Sequence, residues 1–154
     1  MSQSETVVIE PYVPDNSLTR AVICDLDGTL ALHVGRGPFD YEKCETDKVC
    51  KPVWEVLWGL YNKAYEVIYL SGREDICWER TQRWLLEKVC PPGKLYMRKA
   101  KDQRKDWIVK LELFNRNIRP FYRVDMVFDD RPQVLRMWRE LGICTFQLGD
   151  GTEF

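Results

Sequence analysis

The chain has 154 residues, a formal net charge of −1, 45% hydrophobic residues and 31% charged residues. A chain of this length and composition is typical of one soluble globular domain with its own core. No apolar stretch reaches membrane-spanning length and the first residues do not resemble a signal peptide, so we exclude a membrane protein and expect a cytoplasmic one. A net charge near zero gives no overall field to attract a polyanion, which would need a local basic patch.

Cysteine and histidine usage restricts the metals and the redox chemistry that we expect. The six cysteines lie at positions 24, 44, 50, 77, 90 and 144 and form no C-x-x-C pair. Cys24, Cys77 and Cys144 occur in apolar segments, so we expect reduced cysteines in the core. Because His33 is the only histidine, a Cys/His zinc site is disfavoured, and any metal should be a hard ion bound by oxygen atoms.

Strand and helix patterns alternate along the chain after an N-terminal segment without periodicity. We expect residues 1–19 to form an arm or a leading strand, and residues 20–154 to form a single domain. The predicted elements are, in order, a strand at 20–25, a flap or small hairpin at 30–45, a helix from Pro52 to about 64, a strand at 67–70, a helix at 74–88, a strand at 95–97, a helix at 102–116, a strand at 126–128, a helix at 132–141 and a strand at 143–146. This alternation predicts an α/β fold with a doubly wound parallel sheet and a small flap after the first strand.

Three of the predicted strands each end in a pair of polar residues, Asp25/Asp27, Ser71/Arg73 and Asp129/Asp130. Ligands bind beyond the carboxyl ends of the strands in such sheets, so we expect these side chains to converge at one edge. A group of carboxylates indicates a divalent metal, because it repels itself without a cation, and Mg²⁺ prefers carboxylates, water and phosphate oxygens. Asp25 could attack phosphorus while Asp27 moves a proton; the alternative is an ordinary strand-to-turn junction, where Asp and Gly are common.

Two further charged features extend this hypothesis. Lys110 follows Asp106 by one helical turn and is the candidate lysine for phosphoryl oxygens, although a surface ion pair worth about 0.3–0.5 kcal/mol is the alternative. The run Arg98-Lys99-Ala100-Lys101-Asp102-Gln103-Arg104-Lys105 lies at the start of a predicted helix, where the helix dipole disfavours cations. A bound anion would offset that repulsion, whereas the alternative is a solvated charged face.

The ordered motifs D-L-D-G-T, S-G-R, a lysine and D-D resemble the signature of the haloacid dehalogenase superfamily of phosphotransferases, which have a Rossmann-like fold. The longer motifs C-D-L-D-G-T-L, G-R-G-P-F-D, Y-L-S-G-R-E, Q-R-K-D-W-I-V-K and F-D-D-R-P-Q-V resemble the phosphatase half of bacteriophage polynucleotide kinase-phosphatases. This resemblance covers about residues 20–148. Residues 1–19 are too short for the kinase half, so only the phosphatase activity is implied.

The resemblance implies a Mg²⁺-dependent polynucleotide 3'-phosphatase, which removes the 3'-terminal phosphate from DNA or RNA ends through an aspartyl-phosphate intermediate. It implies that Asp25 is the nucleophile, that Asp27 is the general acid and base, and that Ser71 and Lys110 bind phosphoryl oxygens. The implied metal ligands are Asp25, the backbone carbonyl of Asp27, Asp130 and, through water, Asp129. The residues implied to bind substrate or to brace the site are Arg36, Arg73, Arg98 and Asp106.

The alternatives stay open at this point. The second hypothesis is a small-molecule or nucleotide phosphatase of the same superfamily, because a fold does not determine a substrate. A receiver-type signalling module is less favoured, because D-x-D comes first here and D-D last. We expect Asp27 to be neutral beside an ionised Asp25. As partners we expect nucleic-acid 3' ends and a separate kinase or ligase, and we expect no contact with a membrane. A homo-oligomer is possible on this sequence. If the chain is phage-encoded, the expected compartment is the host-cell cytoplasm.

Overall fold

The computed structural model describes residues 6–152 of the chain. The strands are β1 (Thr19–Cys24), β2 (Ala31–Leu32), β3 (Lys48–Val49), β4 (Glu66–Glu74), β5 (Gly93–Arg98), β6 (Tyr122–Asp129) and β7 (Cys144–Gln147). The helices are α1 (Lys51–Asn62), α2 (Trp78–Glu87), α3 (Asp106–Asn117) and α4 (Pro132–Leu141). Short 3₁₀ turns lie at Tyr41–Thr46 and Asp75–Cys77.

Five strands form the central sheet in the order β5-β4-β1-β6-β7, and each neighbouring pair is parallel. The remaining strands, β2 and β3, pair antiparallel as a separate two-stranded ribbon. We call residues 30–49, which contain this ribbon, the flap. The predicted doubly wound α/β fold with a flap after the first strand is therefore confirmed.

Each face of the sheet is covered by a helix pair, which explains why the strands are continuous apolar runs. Phe114 of α3 and Trp138 of α4 belong to the buried cluster on one face. Leu57 of α1 and Trp84 of α2 belong to the cluster on the other face. β1 lies in the middle of the sheet, so its end, where Asp25 follows, is enclosed by both layers.

The N-terminal segment is tied to the domain by Tyr12. The Tyr12 hydroxyl donates to the Tyr122 carbonyl and accepts from the Val124 amide, at 2.9 Å each. The ring packs in the core against Phe114. Residues 6–18 contain no helix or strand, and the first part of the predicted arm lies outside the described residues.

Helix α3 begins later than the sequence predicts, at Asp106 and not at 102. The Arg98 guanidinium donates to the carbonyls of Asp102 and Arg104, and the Asp102 carboxylate accepts from the Arg104 amide, so these backbone groups are bonded in a loop. We call residues 99–105 the basic loop. The cations of this loop therefore precede the first turn of α3, and Lys105 occupies its N-cap position.

Two smaller expectations also differ from the structure. Cys144 is exposed and not a core residue, because β7 is an edge strand. Helix α1 ends at Asn62 and not at about 64, and Ala64 lies beyond its end at a positive φ. Within the described part of the chain, no helix is both long and apolar enough to cross a bilayer.

Candidate active site

A cavity of about 700 Å³ opens at the carboxyl edge of the sheet. Asp25, which follows β1, and Asp130, which follows β6, line it together with Asp106 at the start of α3. The strand ends therefore converge as the parallel topology requires. The flap lies on one side of the opening and the basic loop on another, since both contribute lining residues.

Lys110 is buried among carboxylates, two of which, Asp25 and Asp106, line this cavity. Its Nζ is 2.9 Å from both Asp25 Oδ1 and Asp129 Oδ2, and 3.6 Å from Asp106 Oδ2. Although burial alone would lower the pKa of Lys110, Asp106, Asp129 and Asp25 outweigh it and raise that pKa well above its ordinary value. Lys110 is thus a permanent buried cation and not the surface ion pair that was the alternative.

The carboxylates around Lys110 are the type of ligand that binds a hard metal ion. Oxygens of Asp25, Asp129 and Asp130 all lie within 4.8 Å of one another, and no sulfur or imidazole belongs to this group. Gly28 closes the site at φ +81°, and a Cβ there would lie 2.2 Å from Asp130 Oδ2. Oxygen ligands around a space that only glycine leaves open fit Mg²⁺, which favours carboxylates together with water.

The pKa of Asp25 reflects this crowding. Burial and the neighbouring Asp129 carboxylate raise the pKa of Asp25 well above its ordinary value, while Lys110 acts in the opposite direction. The Thr29 hydroxyl donates to Asp25 Oδ2 at 3.1 Å. A further cation beside Asp25 would therefore favour its ionised form.

Asp27 lies in the opposite kind of surroundings. Its carboxylate accepts from Arg73 Nε and Nη2 at 3.0 and 2.7 Å, and its Oδ1 is 3.0 Å from Arg36 Nη2 and 2.8 Å from His33 Nε2. Burial opposes the ionisation of Asp27, but hydrogen bonds from His33 and Arg73 outweigh it and hold the pKa well below its ordinary value. Three basic side chains therefore favour an ionised Asp27, so the neutral Asp27 that we expect beside an ionised Asp25 stays a prediction and requires these contacts to change.

Asp47, like His33, belongs to this network although the sequence did not indicate it as a site residue. It is fully buried, and its Oδ1 and Oδ2 are each 2.7 Å from Arg36, at Nε and Nη2 respectively. Oδ2 also accepts from Arg73 Nη2 at 2.8 Å. Asp47 thus joins an arginine of the flap to an arginine of the sheet, and the Trp84 indole holds the Asp47 carbonyl at 2.9 Å.

The other predicted site residues are braced by one another. Ser71 is buried, and its hydroxyl accepts from the Arg73 amide at 3.1 Å. Arg98 donates to the Gly72 carbonyl at 3.0 Å and lies 3.2 Å from Asp106 Oδ1. A Cβ at Gly72 would lie 2.2 Å from the same Asp106 oxygen, so β4 and α3 meet closely here.

Asp106 forms ion pairs with cations from different parts of the fold. Burial would raise the pKa of Asp106, but Lys110, Arg131 and Arg98 outweigh it and lower that pKa. Arg131 Nη1 is 3.4 Å from Asp106 Oδ2. Asp106 therefore positions Lys110 and two arginines around the cavity, in agreement with a bracing role.

The rim of the cavity combines cations with apolar side chains. Lys105 and Arg104 line it from the basic loop, and Phe39 of the flap and Ile76 line it elsewhere, at 71% and 73% exposure. Arg104 is paired with Asp102 and Glu112. Lys99, Lys101 and Lys105 are exposed, and none forms an ion pair with any residue between 6 and 152.

The structure thus gathers every residue that the sequence analysis proposed for the site, although their catalytic roles stay predictions. One set surrounds Lys110: Asp25, Asp106, Asp129 and Asp130. The second set surrounds Asp27: Arg36 and Arg73, with His33 and Asp47 added by the structure. Ser71 and Arg98 connect the two sets through the β4 end.

Comparisons with known proteins give a consistent result. The model of the family of polynucleotide kinase PNKP phosphatase domains matches residues 19–153. A protein named "Putative bifunctional polynucleotide kinase/RNA ligase", from Autographa californica nuclear polyhedrosis virus, is 43% identical over 141 residues, covering 88% of this chain and 20% of the relative.

Two solved structures are similar over nearly the whole chain, each with a TM-score of 0.88. One is the structure of a Pnkp1/Rnl/Hen1 RNA repair complex, with 42% identity over 96% of this chain and 48% of the matched chain. The other is a Pnkp1/Rnl/Hen1 complex, with 41% identity over 97% of this chain and 52% of the matched chain. The chain therefore spans about half the length of these solved relatives.

Proposed function

Since the chain belongs to the family of polynucleotide kinase PNKP phosphatase domains and is a phosphatase, we propose that it is a Mg²⁺-dependent polynucleotide 3'-phosphatase. It removes the 3'-terminal phosphate from DNA or RNA ends through an aspartyl-phosphate intermediate. The phosphatase domain extends over residues 20–154, preceded by the arm at residues 1–19. The observation that carries the proposal is the buried contact of 2.9 Å between Lys110 and Asp25, a residue that lines the cavity, with Asp27 two residues further on.

In the first step, a carboxylate oxygen of Asp25 attacks phosphorus and forms the new O–P bond. The bond between phosphorus and the 3' oxygen breaks, and that oxygen takes a proton from Asp27. Lys110, which already touches Asp25, and Ser71 bind the equatorial phosphoryl oxygens, whose negative charge must be stabilised in the transition state.

In the second step, Asp27 removes a proton from water, and the resulting hydroxide attacks phosphorus. The O–P bond to Asp25 breaks, releasing inorganic phosphate and the free carboxylate. The cations around Asp27 favour the ionised form that this second step needs. The first step needs a protonated Asp27, so substrate binding must weaken the contacts from Arg36 and Arg73.

Mg²⁺ would be held by Asp25, the backbone carbonyl of Asp27 and Asp130, with Asp129 acting through water. When bound, it supplies positive charge to the phosphoryl oxygens and to Asp25. The carboxylate cluster around Asp25 supports this assignment. Lys110 lies 2.9 Å from both Asp129 and Asp25 and reduces the repulsion between them.

A nucleic-acid end is the proposed substrate because cations extend beyond the phosphoryl pocket. Lys105 lines the cavity, and Lys99 and Lys101 extend the same exposed loop without an ionic partner among the described residues. Such a loop suits the successive phosphates of a polynucleotide. The relatives named above as a polynucleotide kinase/RNA ligase and as parts of RNA repair complexes support this assignment.

We further propose that the chain works in the cytoplasm together with a kinase or ligase of end repair. The name of the viral relative contains both activities, and one solved relative is part of an RNA repair complex. The free cysteines of the described residues are compatible with a reducing compartment.

The experiment is a comparison of substrates. Purified protein with Mg²⁺ is incubated with a 3'-phosphorylated oligonucleotide, the same oligonucleotide phosphorylated at its 5' end, and a 3'-nucleoside monophosphate. We expect phosphate release from the 3'-phosphorylated oligonucleotide to be fastest. Equal release from the mononucleotide would instead favour the small-molecule phosphatase, and release from the 5' end would contradict the proposal.

A further inference from the structure

Two exposed apolar side chains line the active-site cavity, and none of the proposed steps uses them. Phe39 belongs to the flap, and Ile76 belongs to the 3₁₀ turn that follows β4. Both line the cavity together with Asp25 and Asp27, and they are 71% and 73% exposed. Solvent therefore reaches both side chains, and a ligand in the cavity can reach them as well.

The two side chains lie on segments that are held together. Single exposed apolar residues are common on protein surfaces and need no explanation. Phe39 and Ile76 differ, because Arg80 of α2 donates to the Glu42 carbonyl at 2.9 Å and so fixes the flap against the start of that helix. The two residues give an apolar portion to a cavity that is otherwise lined mostly by charged residues.

A 3'-phosphorylated strand has one group that suits an apolar surface. Its phosphates and sugar hydroxyls are polar, and Arg98 and Lys105 at the cavity wall already provide cations for phosphates. A base is planar with apolar faces, and it stacks on an aromatic side chain whichever base it is. The terminal base is attached to the sugar that carries the 3'-phosphate, so it lies beside the phosphoryl group at Asp25. The cavity of about 700 Å³ has room for a nucleotide, since pockets for small organic ligands have about 300–1,000 Å³.

We propose that Phe39 stacks on the base of the 3'-terminal nucleotide and that Ile76 packs against the same base. This inference rests on the proposed 3'-phosphatase function. The enzyme then needs a base at the end of the strand but does not select which one, because every base has a π face and neither side chain can form a hydrogen bond to a base edge. A 3'-phosphorylated end that has lost its terminal base is therefore a poor substrate.

The test measures kcat and KM for two 3'-phosphorylated oligonucleotides that differ only at the terminal position, which carries adenine or no base. The ratio of the two kcat/KM values is the readout, and a misfolded fraction of enzyme cancels from it. We expect the natural protein to favour the end with adenine by about tenfold, as the loss of one stacked base predicts. Most of the difference should lie in KM, because the stack is present in the bound substrate and in the transition state alike. Exchanging adenine for another base should change kcat/KM far less than removing it.

Variants of exposed phenylalanines assign the effect to one side chain. In Phe39→Ala the ratio should fall towards one, whereas Phe39→Tyr, which keeps an aromatic ring, should retain the ratio of the natural protein. Phe121→Ala is the matched control, because Phe121 is also exposed, at 60%, but does not line the cavity. Its ratio should stay at the value of the natural protein.

The outcomes separate the inference from the function on which it rests. A ratio near one in the natural protein, or an unchanged ratio in Phe39→Ala, would overturn the inference and leave the 3'-phosphatase function intact. An equal fall in Phe121→Ala would also overturn it, because the effect would then not come from the cavity. Release of phosphate from neither oligonucleotide, while a generic phosphoester is hydrolysed, would contradict the 3'-phosphatase function itself and the inference with it.

Discussion

Two carboxylates that are two residues apart lie in opposite electrostatic surroundings. On the Asp25 side, the buried cation Lys110 is shared with Asp129 and Asp106. On the Asp27 side, Arg36 and Arg73 share Asp27 with Asp47, and His33 adds a further contact. An excess of carboxylates favours the binding of a cation. An excess of basic groups stabilises the ionised form of a carboxylate and fixes the orientation of its side chain.

The largest expected effect comes from replacing the proposed nucleophile, Asp25. Asp25→Asn should lower phosphate release by about 10³-fold or more, because an amide cannot form the acyl phosphate. Trapping by beryllium or aluminium fluoride should disappear as well. Asp15→Asn, in an exposed turn, is the control and should retain full release. Substantial release by Asp25→Asn would remove the covalent mechanism.

The second prediction tests the carboxylate surplus through the metal. EDTA should abolish activity and Mg²⁺ should restore it. Asp130→Ala should weaken Mg²⁺ binding by at least about tenfold, measured by calorimetric titration, since one of the clustered oxygen ligands is lost. Full activity in EDTA, or a stoichiometric content of zinc, would contradict a magnesium site.

The Asp27 side is tested by removing Asp47. Asp47→Ala leaves the buried guanidinium groups of Arg36 and Arg73 with Asp27 as their common carboxylate and without the fully buried one, so we expect a loss of about 3 kcal/mol of unfolding free energy. Glu45→Ala is the control, because its pair with Arg83 is exposed and such pairs contribute about 1 kcal/mol or less. The measurement is urea denaturation, and equal losses in the two variants would show that Asp47 is not the buried anchor.

Much of this arrangement could be predicted from the sequence, for reasons that particular residues show. The apolar run Ala21–Cys24 and the pairs of polar residues after the strands indicate a parallel sheet whose edge collects Asp25 and Asp130. Lys110 could be predicted only as a candidate. Its burial depends on α3 packing against the sheet, and a spacing of four residues from Asp106 does not show that.

Asp47 could not be predicted because it lies in a polar flap without periodicity, and its partner Arg73 is 26 residues away in the chain. The same is true of the opposite pKa shifts of Asp25 and Asp27, which depend on neighbours from several elements. The start of α3 was misplaced because the bonds that hold the basic loop come from Arg98, a residue outside the helix.

The fourth prediction compares the two carboxylates directly, by unfolding free energy in EDTA. The pKa of Asp25 is raised on folding, so its ionisation weakens the fold as the pH rises above an ordinary carboxyl pKa of about 3.9. The pKa of Asp27 is lowered, so its contribution is present at neutral pH and is lost as the pH falls below that value. At pH 7, Asp25→Asn should therefore stabilise the protein, and Asp27→Asn should destabilise it by about 1–3 kcal/mol. Changes of the same sign would contradict the comparison.

The smallest expected effect concerns the basic loop, which lies outside both networks. Replacing Lys99, Lys101 and Lys105 by alanine should raise KM for oligonucleotides a few-fold and flatten the salt dependence by up to about 0.7 per lost phosphate contact. A small phosphoester should be little affected. Alanine at Lys48, Lys51 and Lys63, exposed lysines that do not line the cavity, is the matched control.

Two outcomes would change the interpretation of that loop. An equal loss on both kinds of substrate would indicate misfolding or a direct role in catalysis. Unchanged activity on both kinds of substrate would indicate that the loop is a solvated charged face. The small-molecule phosphatase would then be the better hypothesis.

The close approach of β4 to α3 also limits which sequences can evolve from this one. A side chain at Gly72 would displace the Asp106 carboxylate, which cannot move aside because Lys110, Arg98 and Arg131 all hold it. Gly37 and Gly59 have no atom within 4 Å of an added Cβ. In a library of random codons selected for activity, Gly72 should therefore remain invariant, while Gly37 and Gly59 should accept substitutions. Positions that tolerate no substitution would then identify the residues that enclose the carboxylate network.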